Sequence, residues 1–230
     1  MTNLQDMTVV LTGASGGIGR ATAEKLSAAG ARLILVGRHR DKLDSLIRDL
    51  GNDAHVAVIA DLGTEDGRHH LRKYCESLGP DGISVLVNCA GVNEFGLFEE
   101  QSQAAVADTI NINLISPMLI CQDLLPLLLR RGKAQIVNIG STFGSIGYPG
   151  FSAYCASKFG LRGFTESLRR ELADSGVQVS YIAPRATQTD LNSQKIVAMN
   201  NELGTAMDKP SVVADEVMRV IGNRSPLDKY

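Results

Sequence analysis

A chain of 230 residues with 44 % hydrophobic and 21 % charged side chains is long enough for one core and ordinary in its division between inside and outside. A formal charge of −2 gives no electrostatic pull towards nucleic acid or an anionic membrane, so neither is expected as a partner. Four cysteines, Cys75, Cys89, Cys121 and Cys155, show no Cys-x-x-Cys spacing and no histidine at ligand spacing, which points to buried thiols in a reducing compartment and to no metal site.

The first element is a strand over residues 8–12 with no basic stretch before it, so no signal peptide is expected and the cytoplasm is the expected location. This strand feeds Thr12-Gly13-Ala14-Ser15-Gly16-Gly17-Ile18-Gly19, a glycine-rich turn that opens a helix with apolar periodicity at Ala21, Leu26 and Ala29. Glycines here permit a tight turn and a close backbone approach, and the helix N-terminus faces whatever anion binds, as in a dinucleotide site. Further short apolar runs follow at 33–36, 56–60, 85–87, 136–139 and 177–182, with helical patterns between them. Continuous apolar strands separated by helices predict one α/β domain over 1–230: a doubly wound, Rossmann-like parallel sheet with helices on both faces. Ligands of such sheets bind beyond the carboxyl ends of the strands. Long helical patterns are predicted over about 101–131 and 152–175. The greasiest segment, 124–129, is broken by Pro126 and far too short to span a bilayer. His69-His70 reads as a solvated helix face.

Cofactor preference is legible after the second strand, at Gly37-Arg38. NAD-binding doubly wound folds place a carboxylate there for the ribose 2′-hydroxyl, whereas this chain has Gly37 followed by a guanidinium suited to a 2′-phosphate, with Ser15 as a further donor. NADP(H) is therefore expected ahead of NAD(H). Downstream, Tyr154 and Lys158 stand four apart, on one face of a helix. A lysine beside a phenol favours the phenolate and would bring its pKa from about 10 towards neutrality, where the phenol can exchange a proton with a carbonyl or alcohol oxygen.

With Ser141 thirteen residues before Tyr154, the chain resembles the classical short-chain dehydrogenase/reductase family. The blocks appear in order: residues 12–19, Asp61-Leu62, Asn88-Cys89-Ala90-Gly91, Asn111-Ile112-Asn113, Ser141, Tyr154 to Lys158, then Pro184 and Thr189. The resemblance implies an NAD(P)-dependent oxidoreductase. In it Tyr154 is the acid/base, and Lys158 lowers its pKa and holds the nicotinamide ribose. Ser141 positions the substrate oxygen, and Asn113 holds a water that connects Lys158 to bulk. Thr12, Gly13, Ser15, Gly17, Ile18, Gly19, Arg38, Asp61, Leu62, Asn88, Ala90, Gly91, Pro184, Thr187 and Thr189 would complete the cofactor site. Asp61 would meet the adenine amino group, and Asn88 would brace neighbouring strands. The family also implies a homodimer or homotetramer.

Two departures stand out. The family's Pro-Gly after the sixth strand is Pro184-Arg185, with Arg185 either a contact for an acidic substrate or a side chain tolerated in the turn. No further strand is legible after residue 210, where the family has one. Residues from about 190 to 210 read as a lid that sets specificity. The expected activity is NADPH-dependent reduction of a ketone to a secondary alcohol, or its reverse. A 3-oxoacyl thioester on an acyl carrier protein is the first subclass; Arg130, Arg131 and Lys133 could meet an acidic carrier, although a solvated helix C-terminus complementing its dipole is the favoured reading of that cluster. The alternative is a non-catalytic NADP-binding regulatory protein.

Overall fold

The computed structural model describes residues 4–80 and 82–223. Six parallel strands make one sheet: β1 (Thr8–Thr12), β2 (Arg32–Gly37), β3 (Val56–Ile59), β4 (Val85–Asn88), β5 (Ala134–Ile139) and β6 (Val177–Ile182), in the order β3-β2-β1-β4-β5-β6. The strand order reverses between β1 and β4, so the crevice at a switch point opens above these two strands. The doubly wound sheet expected from the sequence is the one observed.

Because neighbouring residues of a strand face opposite ways, each strand divides its apolar side chains between two cores. Val10, Ile34, Val36, Leu86, Ile136 and Val179 face α3 (Glu65–Ser77), α5 (Ser116–Arg131) and α6 (Ser152–Glu171). Val9, Leu11, Leu33, Leu35, Val87 and Ile182 face α1 (Gly17–Ala28), α2 (Arg40–Leu50) and α8 (Pro210–Asn223). A run without polar interruption is what burial on both faces demands.

The helical pattern predicted over 101–131 is α4 (Gln103–Ile110) and α5 joined by a π turn at Asn111–Ile115. Spanning 103–131, this helix is long enough to cross a membrane and contains an 18-residue stretch apolar enough to do so by composition, with mean hydropathy 1.7. The expectation from 124–129 had weighed only part of it. Its apolar face is spent on the sheet, where Ile120, Cys121, Leu124, Leu127 and Leu128 are buried. The second long pattern stops earlier than 175, because α6 ends at Glu171 and residues 172–176 turn into β6. Residues 226–230, at the end of the stretch that shows no further strand, lie outside the described residues.

Strand direction places the basic cluster. Arg130 and Arg131 close α5, and Lys133 precedes β5, so the basic cluster sits at the amino end of the sheet. The site lies beyond the carboxyl end of β5, about 20 Å away at 3.3 Å per residue. These side chains complement the α5 dipole, and Arg131 also donates to the Asp6 carbonyl (3.1 Å), so they are poorly placed to receive a carrier protein.

His55 ties three elements together ahead of β3. Its Nδ1 accepts from the Leu33 backbone N–H (3.3 Å), which leaves Nε2 protonated and donating to Ser27 Oγ (2.7 Å). Burial lowers its pKa, so the native protein keeps it neutral where the unfolded chain takes up a proton. Stability should therefore fall as pH drops below about 6.5, by at most about 1.4 kcal/mol per unit from this group. Denaturant unfolding at about pH 7.5 and about pH 5.5 checks this: the wild-type midpoint drops more than that of His55→Gln, and equal drops would assign the acid sensitivity elsewhere.

Candidate active site

The turn between β1 and α1 explains its own glycines. Gly13 adopts φ +63°, and a Cβ there would sit 2.7 Å from the Ala90 Cα, so a side chain would part β1 from the segment after β4. A Cβ on Gly19 would collide with the Gly13 carbonyl. The Gly16 N-cap supplies no side-chain acceptor, and the first turn of α1 has no acidic residue. By contrast, α3, α4 and α7 (Gln194–Glu202) are capped by Thr64, Ser102 and Ser193. The amino end of α1 thus keeps unpaired N–H groups and its positive dipole end for an anion.

Around this turn lies a cleft of about 340 Å³, lined by Gly13, Ser15, Gly17, Ile18, Gly19, Arg38, Asp61, Leu62, Ala90, Gly91, Tyr154, Lys158 and Thr189 among others. Arg38 is exposed at its edge, just past the end of β2, with no carboxylate at Gly37. Asp61 Oδ1 accepts from the Gly63 N–H (3.0 Å). A second cavity of about 330 Å³ adjoins the first, with Ile18, Gly140, Tyr154, Thr189 and Leu191 lining both. Ser141, Pro184 and Thr187 line this second cavity.

Two of the sequence-predicted cofactor residues brace the cleft from behind. Thr12 is buried, and its Oγ1 accepts from the N–H groups of Cys89 (3.0 Å) and Ala90 (3.1 Å). Asn88 donates through Nδ2 to Asn138 Oδ1 (2.9 Å), joining β4 to β5, as expected of it. Asn113 lies in the π turn, a local widening common at functional sites. Its Oδ1 accepts from the Val92 N–H (2.8 Å), and its Nδ2 donates to the Val92 carbonyl (2.9 Å) and to Ser157 Oγ (3.2 Å). Its side-chain amide is thus largely engaged within the protein.

Tyr154 and Lys158 share a face of α6, as their spacing predicts, but the free protein does not tune them as the sequence suggests. Lys158 is buried, donates to the Ile139 carbonyl (3.0 Å), and lies 5.6 Å from the centroid of the Tyr154 ring. Burial lowers its pKa to about 8. Burial also pushes Tyr154 up to about 12, and the opposing pull is a hydrogen bond with Ser141. Desolvation of the phenolate therefore outweighs the Ser141 hydrogen bond in the protein alone.

Arg185 makes a two-pronged contact with Asp208 (2.7 and 3.2 Å). Asp208 also exchanges backbone hydrogen bonds with Ala186 and Gln188. This pair closes the base of the segment that carries α7, so the guanidinium already has an acid within the chain. His69 and His70 are exposed on α3, and the four cysteines are free, with burial raising Cys75, Cys89 and Cys121 to about 12.

Sequence inspection missed Tyr181. Its hydroxyl accepts from the Ser141 N–H (3.2 Å), donates to the Ser141 carbonyl (3.2 Å) and reaches the Lys158 carbonyl (3.5 Å). A Cβ on Gly140 or Gly144 would strike its ring, so both glycines make room for it. The signal was a tyrosine in a buried strand, at a position where a hydroxyl needs a partner.

The chain matches the family model described as short chain dehydrogenase over residues 7–200. It is 34% identical over 223 residues to Nodulation protein G of Rhizobium sp. (strain N33), covering 93% of this chain and 90% of that one. It is 32% identical over 203 residues to the 3-oxoacyl-[acyl-carrier-protein] reductase of Bos taurus, covering 86% and 84%. The solved short-chain dehydrogenase from Sphingobium yanoikuyae in complex with NADPH superposes with a TM-score of 0.86 at 28% identity, covering 96% and 86%. A nucleotide-type cleft meeting a Ser-Tyr-Lys cluster defines a dinucleotide-linked oxidoreductase fold. The chain belongs to the short-chain dehydrogenase family.

Replacing Tyr181 by Phe keeps the ring that fills the space beside Gly140 and Gly144 but releases Ser141. Turnover should fall about ten-fold with KM little changed, at a stability cost of about 1 kcal/mol. Steady-state kinetics and thermal unfolding of Tyr181→Phe check this; an unchanged kcat would remove Tyr181 from the positioning of Ser141.

Proposed function

We propose that this protein reduces a ketone to a secondary alcohol with NADPH. The observation that carries the reading is the meeting of the two cavities at Tyr154, with Ser141 and Lys158 beside it. The bound cofactor supplies the hydride. The uncapped amino end of α1 faces its pyrophosphate, Arg38 and Ser15 hold the 2′-phosphate, and Asp61 and Leu62 meet the adenine side. Lys158 binds the nicotinamide ribose, with Pro184, Thr187 and Thr189 on the nicotinamide side. Ser141 donates to the substrate oxygen, Tyr154 gives that oxygen its proton, and the Asn113 backbone carbonyl holds a water leading to Lys158. In the free protein the Tyr154 phenol, pushed up to about 12 by burial, stays protonated through the neutral range and so holds the proton that reduction of a ketone needs.

The NADPH complex of the Sphingobium relative and the absent carboxylate at Gly37 support NADP(H) over NAD(H). The bovine reductase makes 3-oxoacyl thioesters the first substrates to try, although Arg130, Arg131 and Lys133 lend a carrier protein no support. A homodimer or homotetramer and a reducing, cytoplasmic setting belong to the same proposal. Support comes from exposed Ile115, Met118 and Phe159 beside the helices that the resemblance pairs between subunits, and from four free thiols. The regulatory alternative is disfavoured because Ser141, Tyr154 and Lys158 are all present and assembled.

NADPH and NADH oxidation against 3-oxoacyl thioesters, simple ketones and quinones tests the reading. Turnover should prefer NADPH and fall about 1000-fold in Tyr154→Phe. Arg38→Ala should narrow the preference for NADPH over NADH by about 10- to 100-fold. Tight NADPH binding without turnover on any of these substrates would favour the regulator.

A further inference from the structure

The cavity beside Tyr154 does not end at the lid. Tyr148 and Met199 line it and also line a third cavity of about 540 Å³, whose other walls include Phe95, Gly96, Pro149 and Gly150. The side chains common to the two cavities are therefore a tyrosine ring and a methionine, the latter unbranched and readily repacked. Glycine backbone forms the floor: the Gly96 N–H donates to the Gly150 carbonyl (3.1 Å), and Gly150 adopts φ +80° with its Cα against the Phe95 ring. Phe95, Phe143, Tyr148, Phe151 and Tyr154 form a continuous aromatic cluster with ring centroids 4.9 to 6.5 Å apart, running from the reacting phenol towards this floor. Outside the floor, on the same loops or on the lid, Leu97, Phe98, Ile146 and Leu203 are between 55 and 62 % exposed. An apolar trough that shares the Tyr148 and Met199 walls with a reaction cavity fits a ligand with a compact polar head and an apolar tail.

We propose that the substrate is an elongated ketone whose unbranched aliphatic tail leaves the reaction cavity between Tyr148 and Met199 and lies in the trough floored by Gly96 and Gly150. The proposal rests on the reaction centre being at Tyr154, as above. Its occupant is a small-molecule tail because only the Tyr148 and Met199 side chains are shared between the trough and the reaction cavity, and the groups along it offer rings and methylenes. Glu100 and Lys195 supply polar groups at the edges of the trough. The ketone carbon sits by Tyr154 and Ser141, and selectivity comes from chain length.

Calorimetric binding of straight-chain 2-alkanols from butanol to decanol, with and without NADP(H), reads the trough independently of turnover. Kinetics on the matching 2-ketones run in parallel. Affinity should rise about four-fold per added methylene until the trough is filled. Gly96→Leu raises the floor, and its Cβ has space, with Glu100 Oε2 the nearest atom at 3.7 Å. In this variant the ratio of decanol to butanol affinity should fall at least ten-fold, a ratio unaffected by loss of folded protein. A length dependence that Gly96→Leu leaves intact, or an affinity flat in chain length, overturns the trough. Binding that behaves as expected while no ketone turns over sustains the trough and overturns the reductase.

Discussion

The interaction on which the site depends is the burial of the Lys158 ammonium beneath the carboxyl ends of β4 and β5. An ammonium taken out of water loses its hydration, and the Ile139 carbonyl replaces only part of it, which is why its pKa drops to about 8. The Tyr154 phenol pays the same penalty with opposite sign and becomes harder to ionise. The pair is thus held in a strongly desolvated state by the fold around it. The reach of Tyr181 to the Lys158 carbonyl ties α6 to the sheet, while the Asn113 bond to Ser157 Oγ and the packing of Leu114 against Gly160 tie α6 to the π turn. Introducing a charge-compensating ligand into such a site shifts both groups at once, the coupling that acid–base chemistry on a bound carbonyl requires.

The parts of this architecture written in hydrophobic period were legible from the residues. Six strands were visible as short apolar runs because both faces of each are buried, and the glycine turn was visible because Gly13 and Gly19 answer steric demands that no other residue meets. Tyr154 and Lys158 were legible because a helix places positions four apart together. Less legible were roles set by what surrounds a side chain. Thr12 reads as a ligand contact and is a buried strap across to Cys89 and Ala90. Asn113 reads as a water holder, yet its amide is consumed by Val92. The Arg130, Arg131 and Lys133 cluster left two readings open, and its place at the far end of the sheet, visible only in the fold, favours the helix-dipole one.

Arg185 and Tyr181 show the same limit from the other side. Nothing near Arg185 in sequence announces Asp208, twenty-three residues on, yet that ion pair and the backbone bridge at Thr187 close the loop that carries α7. Tyr181 looks like one more apolar strand residue, and its importance comes from two glycines forty or so positions earlier that leave it room. The sheet ends fix Ser141, Tyr154 and Lys158, while the loops at 95–98 and 144–151 with α7 shape the space beyond them.

The central claim is that Tyr154 is a desolvated phenol whose ionisation is governed by burial in the free protein and by bound nucleotide in the working one. Its direct test is the ultraviolet phenolate titration of wild type minus Tyr154→Phe, with and without saturating NADP⁺. The account predicts no Tyr154 phenolate across the neutral range in the free protein, and ionisation at distinctly lower pH once the positively charged nicotinamide is bound. A phenolate already present near neutrality without nucleotide, or a titration that nucleotide leaves unmoved, would contradict it.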